Sequence, residues 1–156
     1  MIEVGSKAPS FALLDTKREI RSLDQFAGKT TLLAFYPGAF TGVCEKEMCS
    51  IRDAMAELNN LDVNVVGISV DSPFANGAFA SRNNFDFPLL SDYKRETAAA
   101  YGILFDNFAG MEGYTVGNRS VFILDAEGIV RWSWVAENPG VEPDYSAIKE
   151  QLTAIG

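Results

Sequence analysis

The 156-residue chain contains no histidine. That absence removes Ser-His-Asp triads, Cys-His protease pairs and histidine-ligated metals. Cysteine is scarce as well, with only Cys44 and Cys49, and two thiols without histidine make a poor zinc site. Neither G-x-x-x-x-G-K-[ST] nor G-x-G-x-x-G occurs, so nucleotide-phosphate binding lacks its usual signature. No apolar run is long enough to span a membrane. The opening Met1-Ile2-Glu3-Val4-Gly5 lacks the basic and apolar regions of a signal peptide. These two absences point to the cytoplasm, where thiols stay reduced and disulfides tend to be transient and catalytic. Basic residues are outnumbered, 13 against 21 acidic ones, for a net charge of −8. Such a surface argues against nucleic-acid or anionic-membrane partners.

What is present fits one globular domain spanning 1–156. Hydrophobic residues make up 47% and charged residues 22%, and the length suffices for a proper core. Phe11 to Leu14 and Glu19 to Arg21 flank a polar turn and suggest an N-terminal hairpin. Ser22 to Phe26 reads as a short helical turn closed by Gly28. Thr31 to Tyr36 is almost wholly apolar, as a strand buried on both faces should be. Val63 to Val70 is a second such strand, and Pro73 suits the first position of a helix over Phe74 to Asn83. A short strand at Pro88 to Leu90 and a short helix at Glu96 to Tyr101 follow. Ser120 to Leu124 and Val130 to Trp134 bracket a turn at Asp125 to Gly128. Tyr145 to Ile155 closes the chain as a helix. The order predicts an α/β domain with a mixed sheet and helices on both faces.

The clearest helix runs from Gly42 to Asn59. Cys44, Met48, Ile51, Met55 and Leu58 recur at alternating steps of four and three, a core-facing stripe, and Thr41 is a natural N-cap. Cys44 therefore sits in the first turn of a helix that follows a buried strand. Unpaired N–H groups and the positive end of the helix dipole favour a thiolate there. Thr41 places a hydroxyl one turn earlier, and Pro37 sets the entering loop. An activated thiol with a second thiol five positions on reads as redox chemistry.

Pro37, Thr41 and Cys44 together form P-x-x-x-T-x-x-C after Phe35-Tyr36, and on this the chain resembles the peroxiredoxins. Asn118-Arg119-Ser120-Val121-Phe122, Gly5-Ala8-Pro9-Phe11 and Gly67-Ile68-Ser69-Val70-Asp71 resemble further segments of that family. The branch stays open between two. The Cys44–Cys49 spacing is similar to the bacterioferritin-comigratory (Q-type) pattern. Ala39 to Cys44 and Gly110-Met111-Glu112-Gly113 look more like E-type alkyl hydroperoxide reductases. The resemblance implies a thioredoxin-like fold and reduction of hydrogen peroxide or small alkyl hydroperoxides, without metal, haem or flavin. Cys44 would attack the peroxide. Thr41, Arg119 and the Cys44 N–H would donate to the leaving oxygen, with Pro37 shaping the pocket. The product would be a sulfenic acid. Cys49 would resolve it as an internal disulfide for a thioredoxin-like reductant; otherwise an external thiol must act. A homodimer is implied, with Phe40, Phe74, Phe79, Phe105 and Phe108 as candidate contact residues.

Other readings stand beside these. A thioredoxin-type thiol-disulfide oxidoreductase would normally show C-x-x-C. A redox-switched holdase or sensor would need no peroxide turnover. Glu47 could hold Arg119 by a charge-assisted bond, but a first-turn acid ordinarily faces water, and that is the expectation for it. Arg52 and Arg131 read as surface or ion-pair residues. Asp71, Asp92 and Asp125 lie near strand ends and read as turn caps.

Overall fold

The computed structural model describes residues 2–57 and 62–155. A hairpin of β1 (Ala12–Leu14) and β2 (Ile20–Ser22) comes first, followed by a 3-10 turn at Leu23–Phe26. Then come β3 (Thr30–Phe35), α1 (Gly42–Glu57), β4 (Val63–Ser69), α2 (Pro73–Asn83), β5 (Leu89–Ser91) and α3 (Glu96–Ala100). Two short strands, β6 (Leu104–Phe105) and β7 (Val116–Gly117), pair with each other. The hairpin β8 (Ser120–Leu124) and β9 (Val130–Val135) and the helix α4 (Tyr145–Ile155) complete the chain.

Seven strands form one sheet in the order β2-β1-β5-β4-β3-β8-β9. The centre is parallel, β3 with β4 and β4 with β5, and antiparallel strands flank it on both sides. This mixed sheet is the thioredoxin-like α/β fold that the sequence implied. β3 is buried at every residue, and its alternation divides the core in two. Leu32, Ala34 and Tyr36 face a cluster with Cys44, Met48 and Ile51 of α1, Phe79 of α2, and Ile148 and Leu152 of α4. Leu33 and Phe35 face the other cluster, with Ala98 of α3, Tyr101 and Phe122. A strand covered on both faces tends to be continuously apolar, as β3 is from Leu32 to Phe35.

Residue 67 of β4 is a glycine packed beneath the ends of the Met48 and Leu89 side chains. A Cβ there would meet Leu89 Cδ2 at 2.6 Å and Met48 Cε at 2.9 Å, closer than side-chain carbons tolerate.

The expected elements are present with shifted ends, as hydrogen-bond-defined boundaries usually are. β1 and β2 each begin one residue later than expected. The expected continuation of α1 to Asn59, including Leu58, lies outside the described residues. β6 and β7, two residues each, were not anticipated. Phe79 is a correction: it is wholly buried, ringed by Tyr36, Phe40 and Phe85, and cannot serve a dimer surface. Phe74 and Phe40 are exposed.

Candidate active site

β3 stops where the chain reaches proline. Tyr36 makes the last ladder bond, its N–H donating to the Ile68 carbonyl, and Pro37 has no N–H with which to continue. Pro37 and Gly38 are buried. Phe40 then takes a left-handed turn at φ 64°, uncommon for a side-chain-bearing residue, and α1 begins. Thr41 occupies the N-cap position, with its carbonyl accepting from the Glu45 N–H at 2.9 Å. Its hydroxyl turns back instead, donating to the Gly38 carbonyl at 2.8 Å. That corrects the expected direction. The single hydroxyl proton of Thr41 is committed, so toward a substrate this group offers lone pairs.

Cys44 lies one turn into α1 and is 1% exposed. Its own N–H belongs to the first helical turn, where α-helix geometry supplies no acceptor. Arg119, just before β8, reaches across and donates from Nη2 to Cys44 Sγ at 3.0 Å. The structure therefore brings Pro37, Thr41 and Cys44, from one stretch of eight residues, together with Arg119 from far along the chain.

The arginine is aimed by two further partners. Nη1 donates to Glu47 Oε1 at 2.8 Å, and Nε and Nη2 both donate to the Pro139 carbonyl, at 3.0 and 2.8 Å. Glu47 is thus a correction: it is wholly buried and ion-paired, not solvated. Its position three residues after Cys44 puts it on the same helical face, which was the available signal. Its Oε2 has no hydrogen-bond partner among the described residues. Burial pushes the Glu47 carboxyl up to about 8, with Arg119 opposing the rise. Burial disfavours the charge on Arg119, but Glu47 and Cys44 outweigh it and the guanidinium lies above its ordinary pKa.

The Pro139 carbonyl had no signal in the sequence, since any residue carries one. A turn presents it: the Val141 N–H donates to the Asn138 carbonyl at 3.2 Å, with proline at the second position, where its fixed φ fits. The loop is tied to α1 by Lys46 and Glu142, 3.2 Å apart.

Cys49 stands apart from this cluster. It is partly buried on α1, and its Sγ donates to Asn83 Oδ1 of α2 at 3.3 Å. Burial pushes the Cys49 thiol up, with Arg52 opposing. Both cysteines are free. Arg52 and Arg131 are paired, with Asp53 and Asp125. Asp92 caps the first turn of α3 through the Thr97 and Ala98 N–H groups, and Asp125 accepts from Glu127 and Ile129 within its turn. Asp71 departs from the expected turn cap: its carboxylate accepts from Ser69 Oγ and from the distant Ala39 N–H. Among the described residues no three acidic or cysteine side chains gather as a metal site would require.

Residues 4–133 match the AhpC/TSA family model. The chain belongs to this family, the peroxiredoxins. It is 39% identical over 133 residues to a Coxiella burnetii protein named as the peroxiredoxin bcp, covering 85% of this chain and 88% of that one. It is 36% identical over 158 residues to alkyl hydroperoxide reductase E of Mycobacterium tuberculosis, covering 99% of each. Among solved structures, peroxidoxin BcpB of M. tuberculosis superposes with a TM-score of 0.85 at 28% identity, over 100% of this chain and 99% of the other. Relatives of both branches suggested by the sequence are therefore found. This peroxiredoxin is a thiol-dependent peroxidase, an enzyme that consumes a peroxide and a thiol reductant.

Proposed function

We propose that Cys44 is the peroxide-attacking thiolate and that Thr41 and Arg119 hold the peroxide. The contact of Arg119 Nη2 with Cys44 Sγ at 3.0 Å carries this reading. The guanidinium lies against the sulfur, and the same fork lies where the departing oxygen develops charge. The Thr41 lone pairs accept the substrate O–H, while Arg119 and the Cys44 N–H donate to oxygen. The thiolate attacks one peroxide oxygen, the O–O bond breaks, and the departing alkoxide or hydroxide takes a proton to leave as alcohol or water. Cys44 is left as a sulfenic acid. Pro37 closes the pocket against water. At 1% exposure of Cys44, the approach suits hydrogen peroxide and alkyl hydroperoxides with a slender reacting end.

Cys49 resolves this sulfenic acid. Its thiol attacks Cys44 sulfur, a disulfide forms, and the hydroxyl leaves as water. A thioredoxin-like dithiol then reduces the disulfide. A second reading has support from the bond between Cys49 and Asn83: Cys49 stays packed, and an external thiol reduces Cys44 directly. Intact mass after one equivalent of peroxide separates them, by loss of two hydrogens in the first case and gain of one oxygen in the second.

The remaining proposals concern setting. One domain over 1–156 performs the reaction, in the cytoplasm. Two copies pair through the rim formed by Phe40, Phe105 and Phe108, since Phe40 is exposed and the Phe108 ring lies beside Gly38. Light scattering at micromolar concentration tests the dimer, and a monomer mass would remove it.

A further inference from the structure

One peptide plane connects the Thr41 hydroxyl to the C-terminal end of the central strand β4. The Gly38 carbonyl accepts the Thr41 proton at 2.8 Å. The N–H of that same peptide unit belongs to Ala39, and it donates to Asp71 Oδ2 at 2.7 Å. The plane is therefore held from both sides. A carboxylate accepting from the N–H also polarises the amide, which makes the carbonyl opposite a better acceptor.

Asp71 is itself fixed. It lies two residues beyond β4, and its Oδ2 also accepts from Ser69 Oγ at 2.9 Å. Its own N–H donates to Ser69 Oγ at 3.2 Å, and Ser91 Oγ donates to its carbonyl. Behind it, Asn76 is wholly buried and its Oδ1 accepts from the Tyr36 hydroxyl at 2.6 Å. The loop needs such an anchor. Phe40, between Ala39 and Thr41, is held at φ 64°, a conformation that persists in a bulky residue only where the surroundings enforce it.

Orientation of this plane decides what Thr41 can do. With the Gly38 carbonyl toward Thr41, the hydroxyl donates there and keeps lone pairs for a ligand. With the plane turned over, the hydroxyl loses its acceptor and presents a proton instead. An acceptor is required to receive the O–H of a hydroperoxide.

We propose that Asp71 is a positioning residue for peroxide reduction, holding the Gly38–Ala39 peptide so that Thr41 presents lone pairs to the substrate. The inference rests on Thr41 contacting the peroxide. Asp71 touches neither substrate nor sulfur, and it acts only through the plane and Thr41.

The test is a coupling measurement. Asp71→Ala and Asp71→Asn are made in the wild-type and in the Thr41→Val background, and each protein is assayed for hydrogen peroxide consumption and for iodoacetamide alkylation of Cys44. Asp71→Ala slows peroxide reduction about tenfold, as loss of one charge-assisted hydrogen bond implies, and leaves alkylation unchanged. Asp71→Asn retains an oxygen for the Ala39 N–H and recovers most of the rate. In the Thr41→Val background neither substitution slows the reaction further. Wild-type peroxide rates in Asp71→Ala would overturn the inference. So would equal slowing of both reactions, or the same loss with and without the Thr41 hydroxyl. If Asp71→Ala does not fold, Asp71→Asn carries the same comparison, with a smaller loss that again must vanish beside Thr41→Val. Should Thr41→Val itself reduce peroxide at the wild-type rate, the parent reading of Thr41 falls, and this one with it.

Discussion

Arg119 and Glu47 meet at 2.8 Å with both side chains out of water. A carboxyl and a guanidinium so placed must gain from geometry what they lose in hydration. Here three partners share the guanidinium: Glu47, the Pro139 carbonyl and Cys44 sulfur. Glu47 is on this account a positioning residue, and its carboxyl is raised to about 8 by burial. A carboxyl that holds its proton more tightly folded than unfolded contributes stability fully present below its unfolded value of 4.5. That contribution is lost as pH rises through about 8. The wild type should therefore lose unfolding free energy between those limits by more than Glu47→Gln does. Urea unfolding across the range measures it, and parallel curves would remove the assignment.

Removing the cation separates its effects on the two reactions of the sulfur. Arg119→Met should slow peroxide reduction by on the order of a hundredfold, the scale of one lost donor to a developing charge. Alkylation by iodoacetamide, which has no departing peroxide oxygen, should slow less. Equal slowing of the two would mean that Arg119 acts on the sulfur alone.

The direction of the Thr41 hydroxyl makes a different demand. Thr41→Ser keeps a hydroxyl that can donate to Gly38 and accept from substrate, and should remain within about tenfold of wild type. Thr41→Val keeps the shape without the oxygen, and should fall by a further factor of about ten, as one hydrogen bond is worth. Steady-state rates at subsaturating peroxide decide it, and equal activity of the two variants would contradict the reading.

Resolution by Cys49 requires the helix to open. Residues five apart on an α-helix have Cα atoms about 8–9 Å apart, from a rise of about 7.5 Å and a turn of roughly 140°. A disulfide needs about 4.4–6.8 Å, and α1 is helical throughout Gly42–Glu57. The disulfide form must therefore unwind the first turns of α1 and release Asn83, Glu47 and Lys46 from their partners. Amide exchange over Val43 to Ser50 should rise strongly on oxidation. Unchanged protection in a sample shown to carry the Cys44–Cys49 bond would refute the unwinding. Cys49→Ser should complete a first turnover and lose recycling by a dithiol reductant.

The sequence made the scaffold and the placement of Cys44 legible for identifiable reasons. β3 is apolar from Leu32 onward because both its faces are covered, and the α1 stripe repeats because one face packs on that strand. Cys44 and Thr41 could be placed since they lie within one helical turn of a boundary that Pro37 marks. Glu47 reads as a solvated first-turn acid from the sequence, and the position of Arg119 across the sheet explains its burial. The Pro139 carbonyl and the Gly38–Ala39 plane left no trace, being backbone groups that every sequence supplies. Asp71 was visible as a turn residue, but its bond to Ala39 depends on β3 and β4 lying side by side. β6 and β7 are too short to give a repeating pattern.

The central claim is that Cys44 is the sulfur that peroxide oxidises. Its most direct test is peroxide consumption by the Cys44→Ser and Cys49→Ser proteins beside wild type, with intact mass read after one equivalent of hydrogen peroxide. The account predicts that Cys44→Ser consumes none and keeps its mass, while Cys49→Ser takes up one oxygen. Peroxide consumption by Cys44→Ser at the wild-type rate would contradict it.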